Sequence, residues 1–121
     1  MRRSPSAVSL ALFWLGAGAM HFLRPRFYDA IVPRVLERWA RPITLASGAV
    51  ELVGGAAVLH PRTRRFARWW LLGTLAAVYP ANVEMALRPE RFAHIPRWAL
   101  WARLPLQFAA AWHVWRGTSE R

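Results

Sequence analysis

Cysteine is absent from the 121-residue chain, which excludes a disulfide framework and any thiol chemistry within it. A redox role would need a bound cofactor or a partner. Lysine is absent too, so all 17 basic residues are arginine, set against 6 acidic ones. The Gly-rich phosphate loop, the Gly-x-Ser-x-Gly nucleophile turn, the Cys pair and the His-Glu-x-x-His zinc motif are all missing. Gly54-Gly55 is the one glycine pair, and its apolar setting reads as helix packing. No metal site is indicated, and no catalytic residue can be named.

What the chain does have is apolar length. Four stretches, 7–23, 42–59, 66–87 and 98–115, hold only Glu51, Arg68, Glu84 and Arg103 of all its charged residues. About 20 mostly apolar residues are needed to cross roughly 30 Å of hydrocarbon. The expected fold is therefore all-α: a four-helix transmembrane bundle forming a single integral membrane domain over residues 1–121. The net charge of +11 invites a nucleic-acid reading, but the arginines crowd short loops beside apolar runs. Anionic membrane lipids are the expected partners, and nucleic acid is not. A signal peptide is the competing reading of Arg2-Arg3 and Ala17-Gly18-Ala19, disfavoured because the apolar run continues beyond them.

Between the first two spans, Phe27, Ile31, Val35 and Trp39 recur every four residues, with Arg34, Glu37, Arg38 and Arg41 on the other side. This spacing predicts a short amphipathic interfacial helix, broken or started at Pro33. Residues 60–65 form a short basic turn, so the second and third spans should make an antiparallel hairpin. Pro80 and Pro105 should kink the third and fourth spans, freeing the carbonyls of Ala76 and Trp101. Trp39, Trp69, Trp70, Trp98 and Trp115 flank the spans as interfacial anchors. Arg2-Arg3 and the dense 62–65 turn favour cytoplasmic termini.

Placing the four spans antiparallel brings His21, Ser47, Glu51, Asn82, Arg103 and Gln107 to one half of the bilayer, roughly 3 to 14 Å below one surface. A charge facing lipid costs about 2.5–3.5 kcal/mol on insertion scales, so Glu51 and Arg103 should point inward. One reading pairs Glu51 with Arg103, while Asn82, Gln107 and His21 satisfy that pair and the carbonyls freed by the prolines. The other makes the cluster a pocket for a headgroup, a quinone-like ring or a small polar ligand. Glu84 is expected at the rim, and Arg68 as a snorkelling interfacial residue. A haem held by His21 and His94 is the weaker cofactor reading, and His60 and His113 are more simply interfacial.

Several segments, in order, resemble the DoxX family of small four-helix membrane proteins: Gly18-Ala19-Met20-His21-Phe22, Ile31-Val32-Pro33, Ser47-Gly48-Ala49-Val50-Glu51-Leu52 with Gly54-Gly55, Pro61-Arg62-Thr63-Arg64-Arg65, Tyr79-Pro80-Ala81-Asn82 and Arg103-Leu104-Pro105-Leu106-Gln107. The resemblance implies a four-helix bundle with His21, Glu51, Asn82, Arg103 and Gln107 at motif positions. It also implies a link to membrane redox complexes, including thiosulfate:quinone oxidoreductase subunits, and a place in a bacterial inner (plasma) membrane. The functional expectation is a membrane accessory or binding subunit with a polar pocket for a lipid-like or quinone-like ligand, partnered by a redox protein or a second copy. A ligand-free structural or chaperone-like scaffold is the first alternative. A small oxidoreductase component, or an enzyme using Glu51 or His21 as general base beside Arg103, is the second.

Overall fold

A computed structural model describes residues 5–32, 34–92 and 95–119. His94, Pro33, Arg2 and Arg3, used in the readings above, lie outside the described residues. Among those described, the chain forms five α-helices, two short 3₁₀ helices and no strand. They are α1 (Pro5–Leu23), α2 (Pro25–Asp29), a 3₁₀ helix (Arg34–Trp39), α3 (Ala40–Val58), α4 (Arg64–Leu87), a second 3₁₀ helix (Pro89–Phe92) and α5 (Arg97–Ser119).

The four long helices form a closed ring in which α1 packs on α3, α3 on α4, α4 on α5 and α5 on α1. The tightest contact is α1 against α3, and glycine makes it so. A Cβ on Gly18 would lie 2.8 Å from the Gly48 carbonyl oxygen, and one on Gly48 would lie 2.7 Å from the His21 Cβ. Small residues let two backbones approach this closely.

The turn after α3 satisfies that helix's last carbonyls from beyond its end. Thr63 Oγ donates to the Ala57 carbonyl and the Arg64 Nε to the Val58 carbonyl at 2.8 Å. Arg68 also does more than snorkel. Its Nε donates to Thr118 Oγ at 2.9 Å, a terminal nitrogen donates to Ser119 Oγ at 2.6 Å, and its guanidinium lies over the Trp115 ring. It fastens the start of α4 to the end of α5.

The connection after α1 is not one amphipathic helix. α1 stops at Leu23, a five-residue helix begins at Pro25, and the chain resumes as a 3₁₀ helix from Arg34. Every residue of that 3₁₀ helix is exposed, including Val35, Leu36 and Trp39. The prolines explain the difference. Pro25 removes the amide that would continue α1, and a proline at 33 biases the preceding residue away from helical backbone.

By length and composition, only Ser6–Leu23 is apolar enough to cross a membrane among the described residues. The other three long helices are less apolar: α3 carries Arg41 and Glu51, α4 carries Arg64, Arg65, Arg68, Asn82 and Glu84, and α5 carries Arg97, Arg103, Gln107 and Arg116.

The interior has two apolar regions. The larger joins Leu10, Trp14, Val58, Leu71, Leu75 and Val114. The smaller joins Met85 and Leu100, with Ile31 and Ile95 against them. Along α5 the order is Leu100, Arg103, Gln107, Val114; along α4 it is Leu75, Asn82, Met85. The polar side chains therefore form a layer between two apolar cores.

Candidate functional site

His21 anchors the layer on α1. One ring nitrogen lies 2.8 Å from the Ala17 carbonyl, one turn back, and the other lies 3.2 Å from a Glu51 carboxylate oxygen. The backbone carbonyl can only accept, so Nδ1 carries a proton and Nε2 faces the carboxylate. Both side chains are 8 % exposed. The Gly18–Gly48 approach is what brings α1 and α3 near enough for this pair to form.

Tyr28 of α2 stacks on the His21 ring, with centroids 3.7 Å apart and planes 19° apart. Burial pushes its phenol above the ordinary tyrosine value; the Glu51 charge adds to that rise and the Arg103 charge opposes it. Tyr28 thus stands within electrostatic reach of both. Sequence reasoning left it out of the site. The available signal was its position just after the α1 end that presents His21.

On the opposite wall, an Arg103 terminal nitrogen donates to Asn82 Oδ1 at 3.2 Å, Asn82 Nδ2 donates to Gln107 Oε1 at 3.2 Å, and Gln107 Nε2 donates to the Leu75 carbonyl at 2.5 Å. This chain of amides ties α4 to α5. The expected Glu51–Arg103 pair is not the one that forms: Glu51 pairs with His21, and Arg103 turns to Asn82. The packing of α1 on α3 and of α4 on α5 supplies each charge with a nearer partner. The carbonyl that Gln107 reaches is also one residue before the Ala76 carbonyl expected from Pro80.

Ser47 is half-buried one turn before Glu51 and makes no hydrogen bond among the described residues. Thr44, one turn before Gly48 on α3, is 2 % exposed, and its hydroxyl has no partner among the described residues. Arg103 Nε is likewise buried without one. Glu84 accepts the Arg34 backbone amide at 2.9 Å, holding the first 3₁₀ helix against α4. His60 accepts the Arg62 amide, and His113 Nε2 lies 3.1 Å from Ser9 Oγ, so these two histidines serve a turn and the α1–α5 contact. A surface cleft of about 670 Å³ runs along α4 past Tyr79, Pro80, Val83 and Leu87, and none of the layer's polar residues lines it.

The layer presents, at one level, a carboxylate–imidazole pair, a phenol, an amide network and a guanidinium whose buried Nε has no partner among the described residues. Such a set can hold a ligand bearing oxygens: the guanidinium and hydroxyls donate, and the carboxylate accepts.

The family that matches the chain is described as Domain of unknown function (DUF8561), and the match covers residues 10–117. No curated protein and no solved structure matches the chain. This overturns the resemblance to the DoxX family: it is not the family that matches, and a four-span DoxX-like protein is not supported when one helix alone among the described residues is apolar enough to span. The segments behind that resemblance are short, and close to half of their residues are Gly, Ala, Pro or Leu, which any closely packed helical bundle uses. By a match that runs over nearly its whole length, the chain belongs to the DUF8561 family.

Proposed function

We propose that this chain is a membrane-embedded four-helix bundle whose polar layer binds a small oxygen-bearing ligand, quinone-like or lipid-like. The membrane part of the reading draws on the distribution of apolar side chains. Exposed large apolar residues outnumber the buried ones about two to one, and they lie on all four long helices. They include Phe13 and Phe22 on α1, Leu45 and Val53 on α3, Phe66 and Trp69 on α4, and Trp98, Leu106, Phe108 and Trp112 on α5. Buried His21 and Glu51 complete an arrangement with its polarity turned inward. Charges that lower the apolarity of α3 and α5 sit in this inner layer or at the helix ends.

The ligand part rests on one observation: Arg103 Nε is buried with no hydrogen-bond partner among the described residues, on the layer that Tyr28 borders. A buried donor left unmade costs about 1–3 kcal/mol, more when charged, and a bound oxygen removes that cost. The second reading is a scaffold, favoured by the Arg103–Asn82–Gln107–Leu75 chain, which alone would lock α4 to α5.

Purified protein in detergent separates the two readings. Organic extracts of the wild type, Glu51→Gln and Arg103→Gln are compared by absorbance and mass spectrometry, with helix content followed by circular dichroism. The expected outcome is a co-purifying small molecule that falls about tenfold or more in either variant, the weight of one charged hydrogen bond, while helix content holds. An empty wild type, together with an Arg103→Gln variant that loses its fold, would establish the scaffold instead.

A further inference from the structure

A second cleft of about 470 Å³ lies at the end of α1, lined by Leu23, Arg24, Pro25, Arg26, Phe27 and Arg41. No residue of the polar layer lines it. Arg24 and Arg26 are exposed and make no side-chain hydrogen bond or ion pair among the described residues. Arg41 is oriented by Asp29, its Nε donating to one carboxylate oxygen at 2.9 Å, which leaves its terminal nitrogens unengaged. The other Asp29 oxygen is buried without a partner among the described residues and opposes an anion. Three guanidiniums against one carboxylate still leave the cleft cationic. Its remaining walls are apolar: Leu23 is 71 % exposed and Phe27 46 %.

The cleft also sits at a boundary. The apolar surface of α1 ends with Phe22 and Leu23, and the arginines begin at the next residue. Cationic and apolar groups in one cleft suit a molecule with a charged head and a greasy body; a free anion would have no use for Leu23 and Phe27. Arginine's planar fork matches phosphate oxygens. We infer that Arg24, Arg26 and Arg41 bind the phosphate of an anionic phospholipid, with its acyl chains laid along Leu23 and Phe27. The inference rests on the membrane reading above and is independent of what the polar layer binds.

Native mass spectrometry of the detergent-solubilised protein tests it, with phosphatidylglycerol, phosphatidylcholine and inorganic phosphate as probes. Wild type should prefer phosphatidylglycerol over phosphatidylcholine, and phosphate should not compete. The preference should fall about fivefold in Arg26→Gln and about twenty-fivefold in the Arg24→Gln/Arg26→Gln double variant, at a factor of about five per arginine near an anionic surface. Arg62→Gln/Arg65→Gln, in the turn between α3 and α4, should leave it unchanged. An unchanged preference in both Arg26→Gln and the double variant overturns the site. So does an equal loss in the Arg62/Arg65 control, which would show charge alone at work, or competition by phosphate as strong as by the lipid. Alkaline washing of membranes separates the two failures. A chain that washes off ends the membrane reading and the lipid site together; a chain that stays but shows no lipid preference ends only the lipid site.

Discussion

Tyr28 shows how much one side chain at the edge of the layer reports. Its ring covers His21, and its phenol is influenced by Glu51 and Arg103 together. Burial and the carboxylate favour the neutral phenol, so the folded protein keeps this proton where the unfolded chain, near pH 10, gives it up. In that window the folded state binds more protons, and stability falls as pH rises through it. Difference absorbance between wild type and Tyr28→Phe should therefore show a phenolate step above about pH 10, the ordinary tyrosine value. A step at or below that value would mean Tyr28 does not lie against the cluster. The same side chain marks a boundary of sequence reading. His21, Glu51, Asn82, Arg103 and Gln107 stand out because each is polar inside an apolar run. Tyr28 and Thr44 do not, because an aromatic in a loop and a threonine in a helix are ordinary until packing gives them neighbours. Spacing also left the partners open: it set Glu51 and Arg103 at one depth, and only helix approach decided that each would meet a different residue.

Among the elements, the α1–α3 contact controls the layer. Gly48→Ala would set a methyl 2.7 Å from the His21 Cβ and 3.0 Å from the Gly18 carbonyl oxygen. Neither can yield without moving α1, so the variant should lose about 1–3 kcal/mol, as overpacked sites do, and open the His21–Glu51 pair. Gly16→Ala supplies the contrast, because nothing lies within 4 Å of its added methyl. That substitution should be neutral or stabilising by about 0.5–1 kcal/mol, alanine being the better helix residue. Thermal unfolding followed by circular dichroism compares them, and equal midpoints would refute this account of the contact. The long helices were legible because apolar composition changes abruptly at their ends: the runs beginning at residues 7, 42, 66 and 98 start one or two residues inside helices beginning at Pro5, Ala40, Arg64 and Arg97. The connection after α1 was not. Its four-residue spacing is real, but Pro25 cuts it off from α1 and Pro33 falls in its middle, and backbone chemistry outranks periodicity over so short a stretch.

Over the whole molecule, the outer surface is greasier than the interior layer it encloses. Arg68 on Trp115 and the Ser9–His113 contact close one end of the ring, while Glu84 and Asp29 gather the connecting segments at the other. Seven of the eight tryptophans face outward, and Trp14 alone is buried, at 4 % exposure. Those indoles make the molecule its own optical reporter. Incorporated into vesicles whose lipid tails carry bromine, a heavy-atom quencher that acts at contact, the protein should lose most of its intrinsic emission and keep a residual share from Trp14. A water-soluble quencher such as iodide should do the reverse, barely dimming the population that lipid surrounds. Emission that iodide extinguishes and bromolipid spares would place those seven rings in water, and with them the whole outer face of the bundle.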